Sequence, residues 1–182
     1  MVVKKIICLI LLIMCFPNYS LAKIISDRSG IITFETSNQW RLVSVGADPA
    51  TYELISIMYD KDTFIKFTQS KFNVKYKSLR QASYAEKSEL KDYMMKFYSD
   101  SFKSKGYICT RTRADCLDDS IVLGFNIKKN NIESDFVTGI YIKDYCVYSV
   151  SATCVKATSD EMIKTLQTLK INGMDYKKWL MN

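Results

Sequence analysis

Histidine is absent from all 182 residues. Without an imidazole there is no Ser-His-Asp triad, no Cys-His pair and no His-ligated metal site. Glycine is scarce, at six residues, and forms neither a Gly-x-Ser-x-Gly turn nor a phosphate-cradling loop. No two cysteines stand as Cys-x-x-Cys, so a thioredoxin-like redox role has no support. No basic run exceeds two residues, which leaves no basic tail to grip nucleic acid. Proline occurs only as Pro17 and Pro49. After Lys23 every apolar run is broken by charge within a few residues, so no second membrane-length segment follows.

What is present begins at the amino terminus. Lys4 and Lys5 precede an unbroken apolar run from Ile6 to Phe16, and Ser20-Leu21-Ala22 supplies small residues at the −3 and −1 positions of a cleavage site. This pattern reads as a secretory leader over 1–22, too short for a span and correctly flanked for cleavage. Cys15 follows bulky Ile13 and Met14, so a lipid anchor is not expected. The expectation is export to periplasm or medium, with a soluble product starting at Lys23 and no stable membrane span. Loss of the two leader lysines leaves 24 basic and 19 acidic side chains, a net charge of +5. That is an ordinary surface for a soluble protein. The 48% apolar and 13% aromatic content calls for a folded domain. One domain over 23–173 with a docking tail over 174–182, carrying Trp179 and Leu180, fits the length.

Four cysteines outlast the leader: Cys109, Cys116, Cys146 and Cys154. An even number in an oxidising compartment suggests disulfides. Tyr145 to Cys154 reads as one strand, about 26 Å over eight steps, which keeps Cys146 from Cys154 unless a turn intervenes. A turn near Thr112-Arg113 would bring Cys109 and Cys116 together, and this is the favoured pair. Cys116 with Cys146 is the rival, and buried free thiols remain an alternative for the second pair.

Alternation predicts strands over Ile31–Phe34, Trp40–Val45, Tyr52–Tyr59, Thr63–Gln69, Tyr107–Thr110, Ile121–Ile127, Phe136–Ile142 and Tyr145–Cys154. Asp60-Lys61-Asp62, Asn130-Asn131 and Lys143-Asp144 are turn chemistry between them. A long helix starting near Ser83 and stopping at Gly106 carries an apolar stripe of Leu90, Tyr93, Met94, Phe97, Ser101 and Phe102. Thr158 with Glu161 reads as a capping box for a closing helix. The expected architecture is α+β: a single antiparallel sheet packed by a long central helix and a C-terminal helix.

Ile32-Thr33-Phe34 leading into Trp40-Arg41-Leu42, the hairpin from Tyr52 to Phe67, the helix ending at Phe102, and the last strand and helix through Ile171 give an order that resembles the PsbP-like fold. That fold is shared by thylakoid-lumen photosystem subunits, a nuclear-import factor and DcrB-like periplasmic proteins. The resemblance implies an α/β sandwich acting as an interaction module, with no shared catalytic residues.

No catalytic, cofactor or metal-ligating residue is assigned. Asp115, Asp118 and Asp119 lack the spacing of a calcium loop and read as a solvated acidic turn, with Arg111 and Arg113 beside them. The candidate partner-binding residues are Arg111 and Arg113 on that turn and Tyr141, Tyr145 and Tyr148 on a tyrosine-rich sheet face. The expected activity is non-enzymatic binding of an envelope or secreted protein. Two alternatives remain: a small envelope hydrolase working through paired carboxylates, and a binder of small apolar or lipid ligands between sheet and helix.

Overall fold

Strand forms wherever apolar and polar residues alternate, and turns form where small polar residues interrupt them. The computed structural model describes residues 22–26, 32–44, 52–171 and 174–175. The leader up to residue 21, the loop around Pro49 and the tail with Trp179 and Leu180 lie outside the described residues. In chain order the elements are β1 (Lys23–Ser26), β2 (Ile32–Thr36), β3 (Arg41–Ser44), β4 (Tyr52–Asp60), β5 (Thr63–Asn73), α1 (Tyr84–Ser104), β6 (Ile108–Cys116), β7 (Ser120–Lys129), β8 (Ile132–Lys143), β9 (Cys146–Val155), α2 (Ser159–Gln167), β10 (Lys170–Ile171) and β11 (Met174–Asp175).

These strands build two antiparallel sheets. The larger has seven strands in the order β3-β4-β5-β9-β8-β7-β6, and the smaller four in the order β1-β2-β10-β11. The single sheet with a central helix is therefore incorrect: the molecule is mostly β, with two layers of strand and two α-helices among the described residues. The reason is pairing between the chain's ends. Ile171 sits opposite Ile32 across the small sheet, and Thr168 both donates to the Glu35 carbonyl and accepts from the Glu35 amide. Ile25, Ile32, Phe34 and Ile171 then bury against Ile55, Ile57, Ile65, Phe67 and Val150 of the large sheet, with Met162 and Leu166 of α2 closing the side.

Among the described residues the opposite face of the large sheet is covered by α1 and by the segment around Leu79. The helix α1 packs over β6 and β7. Leu90, Met94, Met95, Tyr98 and Phe102 meet Ile121, Leu123, Phe125, Phe136 and Ile140. The tight turns follow the residues that tolerate positive φ: Asn130 and Asn131 join β7 to β8, and Asp144 and Tyr145 join β8 to β9. The second turn falls one residue later than the sequence suggested. Asp60 accepts from the Asp62 amide at 2.8 Å, which closes the β4–β5 hairpin.

The two helix starts differ. Ser83 caps α1 and makes a complete capping box with Glu86. Thr158 precedes α2 without any side-chain cap, because its hydroxyl meets Thr63 and donates to the Val155 carbonyl instead. The second expected capping box is thus absent.

Glu86 carries more than the cap. Hydrogen bonds from Lys75 and Tyr76, then from the Ser83 amide and hydroxyl, hold its carboxyl well below the usual carboxylate range. A depressed folded value means that stability is present above the unfolded value of about 4.3 and lost as pH falls through and beneath it. Glu86→Gln keeps a cap acceptor and removes the charge. Wild type is expected to melt higher than Glu86→Gln at pH 6, and the gap should narrow steadily as pH falls below about 4. Thermal melts followed by circular dichroism check this; a constant gap overturns it.

Candidate functional site

The tyrosine face is not a surface. Tyr141 and Tyr148 stack at 5.0 Å between ring centroids, and both stack on Phe67. They are 3% and 8% exposed and belong to the core between the two sheets. Tyr145, in the β8–β9 turn, is the exposed member of the trio.

Arg111 and Arg113 lie on β6, which is the outermost strand of the large sheet. No hairpin turns at Thr112: Ile108–Cys116 is one strand. What does occur there is a bulge. The register against β7 shifts between Arg111, opposite Phe125, and Arg113, opposite Gly124. Gly124 allows it, because a Cβ at that position would lie 2.8 Å from Thr112 Oγ1 and 3.0 Å from Arg113 Cβ. The extra residue switches the faces on which the next side chains stand. Arg111 is exposed, while the half-buried Arg113 donates from Nε to Asp115.

The neighbouring acids are also engaged. Asp119 pairs with Arg80 at 3.4 Å, and the Asp118 carbonyl accepts from Lys87 at 2.9 Å. Among the described residues no group of three or more His, Cys, Asp or Glu side chains converges as a metal site. A cleft of about 700 Å³ lies between β6 and the first turns of α1, lined by Tyr84, Lys91, Thr112, Arg113, Asp115 and Cys116. Asp115 is the carboxylate in this lining, and Arg113 holds it.

The cysteine pairing fails for a geometric reason. Cys109 and Cys116 are seven steps apart on one strand, about 23 Å. Cys146 and Cys154 are eight steps apart on β9. Any cross pair joins β6 to β9, three strands away and hence about 14 Å at least. A bridge needs Cα atoms within about 7 Å, so none of these pairs can close inside the chain. All four are thiols in the structure. Burial, with Asp135 adding to it, pushes the Cys154 thiol up to about 11.

Among the described residues a pair of exposed aromatic side chains stands on α1. Tyr93 and Phe97, 59% and 54% exposed, stand one turn apart on the side away from the sheet. With Lys96, Asp100, Ser101 and Ser104 they line a shallow groove of about 460 Å³. The sequence placed both in the buried stripe. The residues that actually reach the sheet are Leu90, Met94, Tyr98 and Phe102, an i,i+4 ladder, with Met95 beside it. The signal that could separate the two stripes is their count: α1 has more large apolar residues than one face can hold.

No family model and no curated protein matches the sequence. Solved structures do match in shape. The solution structure of cyanobacterial PsbP from Synechocystis sp. PCC 6803 superimposes with a TM-score of 0.55 at 13% identity, over 85% of this chain and 96% of that one. LpqN of Mycobacterium tuberculosis, described as involved in cell envelope biogenesis, gives 0.41 at 11% identity over 85% and 87%. A protein from Bacteroides thetaiotaomicron gives 0.44 at 12% identity over 82% and 48%. The likeness to the cyanobacterial protein covers most of both chains, and the fold is PsbP-like.

Proposed function

We propose that this chain is an exported interaction module and not an enzyme, and that it holds an envelope or secreted protein through the outer face of α1. The observation that carries the reading is the Tyr93–Phe97 pair. Two large aromatic side chains stay in water on a helix whose other side is already packed on a sheet. Aromatic side chains are the usual anchors of protein interfaces, because they bury much area and lose little rotamer freedom. The export half of the proposal rests on the leader pattern of residues 1–22.

The two alternatives fit less well. A carboxylate hydrolase needs two acids facing a substrate, whereas the β6 cleft offers Asp115 already engaged by Arg113. A lipid binder needs room between helix and sheet. That space is filled by Tyr98, Phe102, Phe125 and Phe136, whose ring centroids lie 5.0–6.4 Å apart.

Affinity capture from envelope extract, using the chain without its leader at near-native level, tests the proposal. Wild type is expected to recover a stoichiometric protein, and a chain carrying Tyr93→Ser and Phe97→Ser to lose at least nine-tenths of it while melting within a few degrees of wild type. Recovery of the same protein by the variant, or of none by wild type, overturns the reading.

A further inference from the structure

The β6 bulge has a consequence for the two cysteines on that strand. Cys109, Arg111, Ala114 and Cys116 stand opposite Ile127, Phe125, Leu123 and Ile121 of β7, all on the face that α1 covers. In an unbulged strand, residues seven apart would point to opposite faces. The bulge at Thr112 puts both thiols on the same face. Among the described residues the outer edge of β6 ends the sheet, with Ile108 71% exposed at its start.

We propose that β6 pairs antiparallel with β6 of a second copy of this chain, and that Cys109 of each copy forms a disulfide with Cys116 of the other. This goes beyond the reading of α1 and uses a different surface. In the register that opposes the cysteines, the two-fold axis passes between Thr112 and Arg113. Thr110 then faces Asp115 of the second copy, and Arg111 faces its Ala114. Slipping so that Thr112 sits on the axis would set Arg111, on the face that α1 covers, against Arg113 of the second copy, on the other face, and opposed residues of antiparallel strands must share a face. Matching of faces therefore favours the register that the cysteines need. Directly opposed residues of antiparallel strands have Cα atoms about 4.5–5.5 Å apart, inside the range of about 4.4–6.8 Å that a disulfide spans.

Each bridge forms by exchange with a disulfide oxidant of the exporting compartment. Two thiols of this chain lose their hydrogens, one sulfur–sulfur bond forms between copies, and one breaks in the oxidant, which leaves as two thiols. Burial raises the Cys109 and Cys116 thiols, which lowers their thiolate fraction and slows the exchange without preventing it. Cys146 and Cys154 take no part, because β9 lies inside the sheet. The two-fold axis stands perpendicular to the sheet, which sets both α1 helices on one face and presents the Tyr93–Phe97 groove twice. Such doubling raises the avidity for a clustered partner.

The test uses the purified chain oxidised with oxidised glutathione and run on a non-reducing gel. Wild type is expected to run as a dimer, with Cys109 joined to Cys116 in its peptide map. Cys109→Ser alone and Cys116→Ser alone should each stay monomeric, since each removes both bridges. An equal mixture of the two variants should recover a dimer with a single bridge, which also shows that both variants fold. A wild-type chain that keeps four thiols, single variants that dimerise as well as wild type, or a mixture that stays monomeric would each overturn the proposal.

Discussion

Phe125→Ala is expected to lower the free energy of unfolding by about 3–5 kcal/mol, the cost typical of deleting a buried aromatic ring. In a domain of this size that is roughly 6–20 °C of melting temperature. Phe125 is 2% exposed and sits in the middle of β7. Its ring lies 5.7 Å from Phe102, 6.4 Å from Tyr98 and 6.2 Å from Phe136. Edge-on and tilted aromatic contacts of this kind contribute about 0.5–1.5 kcal/mol each beyond the area they bury. The deletion therefore leaves a cavity and unties three ring contacts at once.

The loss should be local before it is global. No residue of α1 is fully buried, so the helix is held by half-buried side chains that converge on Phe125 and Phe136. Amide protection along α1 is expected to fall further than protection along β4 and β5, which pack against the other cluster. Urea denaturation gives the magnitude and hydrogen exchange the location. A loss under 1 kcal/mol, or equal loss of protection in β4 and α1, would contradict the account. Phe97→Ala is the matched control. The same chemical change on the outer face of the same helix should move stability by no more than about 0.5 kcal/mol.

The contrast between Phe97 and Phe125 also shows what can be read from sequence alone. Strands with a turn residue on each side were legible, since alternation and turn chemistry are both local. The β4–β5 hairpin with its Asp60 turn follows from them. The start of α1 was legible for the same reason, because Ser83 and Glu86 satisfy each other within four residues. The helix stripe was half legible. Leu90, Met94 and Phe102 reach the core as the spacing implies, but Tyr93 and Phe97 form a competing ladder, and the choice between ladders is made by the sheet.

Features that depend on distant partners were not legible. The small sheet joins β2 to β10, and its strands of two to five residues carry too little pattern to announce themselves. The β6 bulge depends on Gly124 across the ladder, so no residue within β6 marks it. Missing it turned a nine-residue strand into an imagined hairpin and its cysteines into an imagined bridge. Tyr141 and Tyr148 were candidates for a surface because one face of a lone sheet would have been open. Once a second sheet exists, that face is the core.

Trp40 ties the two sheets together, and two substitutions there should differ sharply. It lies between β2 of the small sheet and β3 of the large one, with its backbone amide donating to the Ser37 carbonyl at 3.2 Å. The side chain is 1% exposed and stands edge-on to Tyr59 at 5.6 Å. Trp40→Ala is expected to cost about 3–5 kcal/mol, because the cavity opens where both sheets and the connection between them meet. Trp40→Phe should cost far less. The indole Nε1 is buried and has no hydrogen-bond acceptor among the described residues. A buried donor left unsatisfied costs about 1–3 kcal/mol, and phenylalanine removes that donor. The smaller ring gives up part of the packing, the vanished donor offsets part of that loss, and the net change should stay within about 1.5 kcal/mol. Unfolding followed by circular dichroism measures both variants without relying on tryptophan emission. If Trp40→Phe destabilises as much as Trp40→Ala, the indole nitrogen is making a contact that matters, and shape alone does not hold the sheets together.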